Sequence, residues 1–110
     1  MALNVGNADV QIGTSATNIV NGGLGQSITI LKATATNTDT AIRSLTLYRV
    51  PNGGSVGAAY IIGADTYQIG AGETVVLPLS GQTLIAQQSL QGVASVAAVV
   101  NLNLSYASTP

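Results

Sequence analysis

Short apolar segments separated by turn residues are the feature that most restricts the fold of this chain. From residue 27 onward, segments that alternate apolar and polar side chains are interrupted by clusters of Gly, Pro, Asn or Asp. Alternation with a period of two is typical of strands with one buried face. About seven such segments at spacings of about ten residues predict an all-β domain. We therefore expect a single-domain antiparallel β-sandwich or jelly roll.

The alternation is clearest in two consecutive segments, residues 27–35 and residues 41–50. A polar cluster at residues 37–40 separates them, and a short polar loop between two alternating segments predicts a β-hairpin. The strongest turn signal, PNGGS at residues 51–55, follows directly. Its proline fixes φ at a turn position and its glycines permit positive φ.

Further short strands are predicted at residues 58–62, 65–69 and 74–79. Pro78 lies in the last of these and cannot donate a ladder hydrogen bond, so this strand should lie at a sheet edge or end near Pro78.

The last part of the chain allows two interpretations. Residues 82–88 and 96–106 are predicted strands, and the second should be the longest. A helix over residues 82–100 is the alternative, but Ser89, Gly92 and several β-branched residues favour strand–loop–strand. A helical turn near residues 87–91 stays open. One face of the final strand should carry Val100, Leu102, Leu104 and Tyr106.

The first 26 residues differ from the rest in being rich in Asn, Gly, Ser and Thr. We expect residues 1–26 to form an extended N-terminal arm with at most one short strand near residues 16–20, and residues 27–110 to form the sandwich. Residues 1–9 contain neither a basic nor an apolar signal region, so we expect no Sec-type export.

Charge is scarce: 6% of residues are charged and the net charge is −1, against about 25% charged in average soluble domains. Three cations cannot neutralise many phosphates, which argues against nucleic acid and anionic membranes as partners. A small free monomer usually keeps more surface charge for solubility. The composition therefore favours a protein packed against neighbours over a monomer with a mild polar surface.

Catalytic chemistry has few candidate groups. The chain has no His and no Cys, which excludes Ser-His-Asp and Cys-His mechanisms and thiolate metal sites. Its four acids, all in the predicted arm or in turns, are expected to be solvated. The glycine clusters lack the following helix and Lys-Ser/Thr of a phosphate loop. We predict no catalytic residue, no metal and no cofactor, and hence a protein that is not an enzyme.

Four tyrosines are the only aromatic residues, and three roles are open to them: filling the core rim, forming a protein interface, or stacking on sugars. Lys32 and the two arginines could pair with acids, either within the chain or across a subunit boundary. The candidate interface residues are Leu24, Arg43, Tyr48, Arg49, Tyr60 and Tyr67.

One stretch resembles a protein family. Residues 45–57 (LTLYRVPNGGSVG) are similar to the core motif of small tailed-phage structural proteins, and residues 37–41 loosely match its upstream turn. Residues 69–74 (IGAGET) and 79–86 (LSGQTLIA) resemble its downstream turns, with Gln82 where the family usually has an acid. The resemblance covers about residues 27–106.

This resemblance implies a non-enzymatic virion protein of the capsid decoration, or cement, type. Such a protein would bind the major capsid protein and copies of itself, with a trimer favoured. It would be assembled in the host cytoplasm and lie on the capsid surface, its arm crossing a neighbouring subunit. A tail, neck or fibre component is the alternative within the virion, and a glycan-binding β-sandwich module is the alternative outside it.

Overall fold

Nine strands form two antiparallel sheets in the computed structural model, which describes residues 4–63 and 65–109. The strands are β1 (Asn4–Ile12), β2 (Thr17–Asn21), β3 (Ile28–Asn37), β4 (Arg43–Val50), β5 (Tyr67–Ile69), β6 (Thr74–Val76), β7 (Thr83–Leu84), β8 (Ser89–Ala94) and β9 (Val100–Ser108). The first sheet has the order β1-β9-β3-β6, with β7 also beside β3, and the second has the order β2-β8-β4-β5. A 3-10 helix, Ala58–Tyr60, follows β4.

The two sheets pack as the predicted β-sandwich, and their strand order is that of a jelly roll with β7 as an addition. Connections gather at two ends of the sandwich. The Asn37 end carries loops 13–16, 38–42, 70–73 and 95–99, and the Pro51 end carries loops 22–27, 51–57 and 85–88. Both described termini lie at the Pro51 end, because Asn4 pairs with Ser108.

The core lies between the sheets and consists of the inward side chains of both. Strand β9 supplies Val100, Leu102 and Leu104, which are almost fully buried, as the alternation predicts. Gly92 in β8 allows close packing, since a Cβ there would lie 3.3 Å from the side chains of Ile19 and Leu47. Each fully buried Leu or Ile stabilises the fold by roughly 1.5–3 kcal/mol.

The structure differs from the sequence prediction for residues 4–26; the first three residues of the predicted arm lie outside the described residues. Instead of an extended arm, this stretch contributes β1, paired with β9 along its whole length, and β2, paired with β8. Ile12 and Ile19 are buried in the common core. The polar composition concealed these strands because β1 places polar residues on its outer face and small residues such as Gly6 and Ala8 inside.

The predicted β-hairpin between residues 27–35 and 41–50 is also wrong. Strand β3 belongs to the first sheet and β4 to the second, so the loop between them crosses the sandwich. The crossing allows both apolar faces to be buried against each other, with Ile30 on one side and Leu47 on the other. Periodicity identifies strands and faces, but it does not distinguish a hairpin from a crossing between sheets.

The structure confirms some of the remaining strand predictions and replaces others with shorter strands or a 3-10 helix. Strand β6 ends before Pro78 and lies at a sheet edge, as the proline predicted. Strand β8 excludes the alternative helix, whereas residues 82–88 yield only the two residues of β7. Strand β3, with ten residues, is longer than the nine-residue β9. Residues 58–62 contain the 3-10 helix rather than a strand.

Asn37 is the single fully buried polar side chain among the described residues, and it secures the crossing. Its Nδ2 donates to the carbonyls of Ala41 (2.8 Å), Ile69 (3.0 Å) and Gly70 (3.2 Å). Its Oδ1 accepts a hydrogen bond from the backbone N–H of Asp39 at 3.0 Å. The one amide therefore joins the β3–β4 loop to the end of β5.

We expect Asn37→Ala to lower the free energy of unfolding by about 2 to 4 kcal/mol, because it removes the amide donor from the buried Ile69 carbonyl and from two partly buried carbonyls. Urea denaturation followed by circular dichroism measures the change. Asn18→Ala, at an exposed position of β2, is the control and should change stability by less than about 0.5 kcal/mol. Equal effects of the two substitutions would contradict the role assigned to Asn37.

Candidate interaction surfaces

The structure divides the predicted interface residues among several places. Arg43 lies at the Asn37 end and Leu24 at the Pro51 end. Tyr67 in β5 packs against the core and so belongs partly to the interior. Of the six, Arg49 and Tyr60 line one cleft, and the backbone of Tyr48 pairs with that of Ile61, beside Tyr60.

Tyr48 and Arg49 lie in the part of β4 that extends past its pairing with β5, and Tyr60 lies in the 3-10 helix that packs beside it. Tyr48 forms an isolated β-bridge with Ile61, the residue after Tyr60. Arg49 Nη1 lies 3.3 Å from Gln82 Oε1 and 3.4 Å from the Thr83 carbonyl, so its guanidinium reaches from the second sheet to the first. Arg49 and Tyr60 line one cleft of about 280 Å³.

A second cleft, of about 270 Å³, lies on the other side of Pro51 and is lined without any charged side chain. Its polar groups are mostly primary amides. Two of the amides contact each other, since Asn52 Nδ2 lies 3.4 Å from Gln87 Oε1. We call it the amide cleft, and its polar side chains are Asn21, Asn52, Gln87, Ser89 and Gln91. Sequence reasoning missed this cleft because its residues come from three separate segments.

Arg43 is engaged within the chain, one of the two arrangements that the sequence allowed. Its Nη2 lies 2.6 Å from Asp39 Oδ2, and its Nε donates to the same oxygen at 2.7 Å. The hydrogen bond from Arg43, followed by the one from the backbone N–H of Thr40, lowers the pKa of Asp39 below its ordinary value of 3.8. The Asp39–Arg43 ion pair therefore places one negative and one positive side chain at the Asn37 end.

The outer face of the first sheet carries mainly uncharged polar side chains, together with Asp9 and Lys32. Hydroxyl and amide side chains cover it, and neighbouring ones contact each other: Thr36 and Thr74 hydroxyls are 2.8 Å apart. Asn103 Nδ2 donates to Asp9 Oδ1 at 2.8 Å. A shallow groove of about 240 Å³ runs between Asp9 and Lys32. Such a face is suited to contacts that do not depend on ion pairs.

Exposed apolar side chains are concentrated at the Pro51 end. Leu24 is 85% exposed, and Val5 and Ile85, in strands or loops of the same end, are 73% and 53% exposed. The Asn37 end carries Ile42, which is 62% exposed. Sequence reasoning identified Leu24 but not Val5 or Ile85. The sequence did indicate that Val5 is exposed. Val5 and Val10 are five residues apart in one strand, so their side chains point to opposite faces, and Val10 points inward.

Within residues 4–63 and 65–109, no group of three or more acidic, His or Cys side chains is placed to hold a metal ion. The same residues include no helix long and apolar enough to cross a membrane.

No protein-family model and no curated protein matches the chain. Solved structures share its fold. A chain from Bacillus endospore appendages, a family of disulfide-linked pili, aligns with a TM-score of 0.57 and 14% identity over 97% of this chain and 84% of that chain. A chain from the cyanophage Pam1 capsid asymmetric unit aligns with a TM-score of 0.50 and 16% identity over 96% and 84%.

At these identities the likeness establishes the fold alone. Both neighbours come from assemblies, a pilus and a capsid, and neither is described as an enzyme. A disulfide link of the pilus kind is not available to this chain, which has no Cys.

We expect the pKa of Asp39 to rise toward its ordinary value in Arg43→Ala, because the principal stabilising hydrogen bond to the carboxylate is removed. A depressed pKa means that the Asp39–Arg43 pair stabilises the fold above the unfolded-state pKa and that this contribution is lost as the pH falls through the folded-state pKa. NMR titration of the Asp39 carboxyl measures the shift, with Asp65 as the internal control. An unchanged Asp39 titration in Arg43→Ala would contradict this assignment.

Proposed function

We propose that this protein is a non-enzymatic viral structural protein, and specifically a decoration (cement) protein on the outside of a tailed-phage head. The observation that carries the proposal is the shared jelly-roll architecture with a phage capsid chain, aligned over nearly the whole length. Jelly rolls serve viral capsids and lectins alike, so the fold must be weighed with the surface. The turn motifs at residues 45–57 and 69–74 add support through their resemblance to tailed-phage proteins.

The surface favours a role in assembly. The amide cleft presents groups that hydrogen-bond without charge, and hydroxyl and amide groups outnumber charged ones in the groove on the outer face of the first sheet, which also contains Asp9 and Lys32. Burying such groups costs far less than burying ions, provided that they find hydrogen-bond partners. A protein whose outer surface is covered by neighbouring subunits requires this property, whereas a free monomer gains solubility from charge.

We infer that the Pro51 end faces the capsid. This end presents Leu24 and Ile85, while the Asn37 end presents Ile42 and the partly exposed Asp39–Arg43 pair. Attachment therefore depends on loops and not on an extended arm: deletion of residues 1–20 would remove β1 and β2 and with them the fold. In this arrangement the major capsid protein is the partner, and copies of the chain associate on the shell, with a trimer favoured.

Purified phage heads depleted of this protein, mixed with the purified chain and sedimented, test attachment. The double variant Leu24→Ser, Ile85→Ser should bind at least about tenfold more weakly, since burial of each side chain contributes roughly 1.5 kcal/mol or more.

Ile42→Ser, which removes a similarly exposed side chain at the opposite end, is the matched control and should bind like the wild-type chain. Equal weakening by both variants would refute the assignment of the Pro51 end. Absence of wild-type binding to heads would refute the cement role itself.

A glycan-binding role is the second candidate, and the amide cleft favours it. Primary amides both donate and accept hydrogen bonds, as sugar hydroxyls do, and Tyr60, beside the neighbouring cleft, is 38% exposed for stacking. A glycan array separates the two roles: binding that is lost in Gln87→Ala and Tyr60→Ala supports a glycan site, and an array without hits excludes it.

A further inference from the structure

The free edges of the two sheets are protected very unequally. Unpaired strand edges invite pairing with other chains, and proteins usually protect them with short strands, bulges, prolines or lysines. Strands β5 and β6 have three residues each and β7 has two, and Pro78 follows β6. Strand β2 contains a register shift between Asn18 and Val20. Strand β1 has nine residues, unbroken register, no proline and no lysine.

The hydrogen-bond phase shows which backbone groups of β1 face outward. Thr38 N–H donates to the Val99 carbonyl at 2.8 Å, in register with the β3–β9 pairs. Odd-numbered residues of β9 therefore bond to β3, and even-numbered residues bond to β1. Since Ala8 pairs with Leu104, even-numbered residues of β1 bond inward. The outward groups belong to Val5, Asn7, Asp9 and Gln11, and no hydrogen bond within the described part of the chain reaches them.

The side chains of β1 suit pairing with an identical strand. An antiparallel twofold centred on Ala8 uses all nine residues and pairs residues of the same parity, so inner and outer faces continue across the axis. It places Asp9 of one copy opposite Asn7 of the other and so avoids opposed like charges. A centre at Asp9 would oppose two carboxylates. The outward groups in the Ala8-centred register can form about eight hydrogen bonds.

We propose that β1 is a self-association edge, through which two copies join their first sheets across a twofold axis at Ala8. The strand that pairs with this edge is β1 of a second copy of this chain. The register in which all nine residues of the two β1 strands overlap is also the one that places the Asp9 carboxylate opposite the Asn7 amide. This pairing joins two copies of the chain and is separate both from the attachment to a capsid and from the trimer favoured on the shell, and its test needs only the purified protein.

A single cysteine tests the register directly, because the chain has no Cys of its own. The two Ala8 residues would form a non-hydrogen-bonded pair with Cα atoms about 4.5 Å apart, within the range that a disulfide spans. Ala8→Cys should therefore form a covalent dimer under mild oxidation. Asn18→Cys, exposed on β2, should stay monomeric as the control. Equal dimer yields for the two variants would overturn the proposal.

Substitutions at Asn7 test the same contact without cysteine. Asn7→Pro removes an outward N–H but no bond to β9, so it should abolish dimers in sedimentation equilibrium while the circular dichroism spectrum is retained. Asn7→Asp opposes two carboxylate pairs and should weaken association at least about threefold, whereas Asn7→Lys should strengthen it.

A wild-type chain without such dimers, or dimers insensitive to all three variants, would overturn self-pairing. Hydrogen exchange gives a further test. If the β1 amides were protected only when the chain is bound to phage heads, β1 would pair with a strand of another protein, and self-pairing would be overturned.

Discussion

The amide of Asn37 holds the point at which the chain passes from one sheet to the other. The crossing between β3 and β4 allows the two apolar faces to meet, and most of the core lies between these faces. A loop that crosses a sandwich leaves carbonyls turned away from any ladder. The Asn37 side chain donates to the Ala41 carbonyl of this loop and accepts from its Asp39 N–H, and it also donates to the Ile69 and Gly70 carbonyls, which joins the loop to the end of β5.

Because the interior takes up so many of the apolar residues, the character of the outside is decided by the polar ones, and these are mostly uncharged. Hydroxyl and amide groups cover the outer face of the first sheet, and amides line the cleft beside Pro51. The Asp39–Arg43 pair stays at the opposite end. The two ends of the sandwich therefore differ, and this difference sets the orientation of the chain in the proposed attachment. The end with exposed apolar loops faces the shell, and the end with the ion pair faces outward.

Sequence reasoning predicted well which segments form strands and which side chains of a strand are buried. It predicted poorly which strands pair with each other. Alternation placed Leu102 and Leu104 inside, and Pro78 correctly indicated an edge. The same alternation is present whether β3 and β4 form a hairpin or cross between sheets, so it could not assign them to a sheet, and the contacts of Asn37 at the crossing appear only in three dimensions. Strand β1 was missed because Gly6 and Ala8 are too small to mark an inner face. Among the predicted interface residues, Arg49 and Tyr60 line one cleft, whereas the amide cleft is assembled from distant segments that no local pattern connects.

Electron cryomicroscopy of intact virus particles that contain this chain tests the central claim most directly, because position on the particle defines the function. The account predicts copies of the sandwich on the outer surface of the head, repeated over its capsomers, with Leu24 and Ile85 toward the shell and the Asp39–Arg43 pair toward solvent. Density for the sandwich confined to the tail, neck or fibres, or its absence from the head surface, would contradict the account.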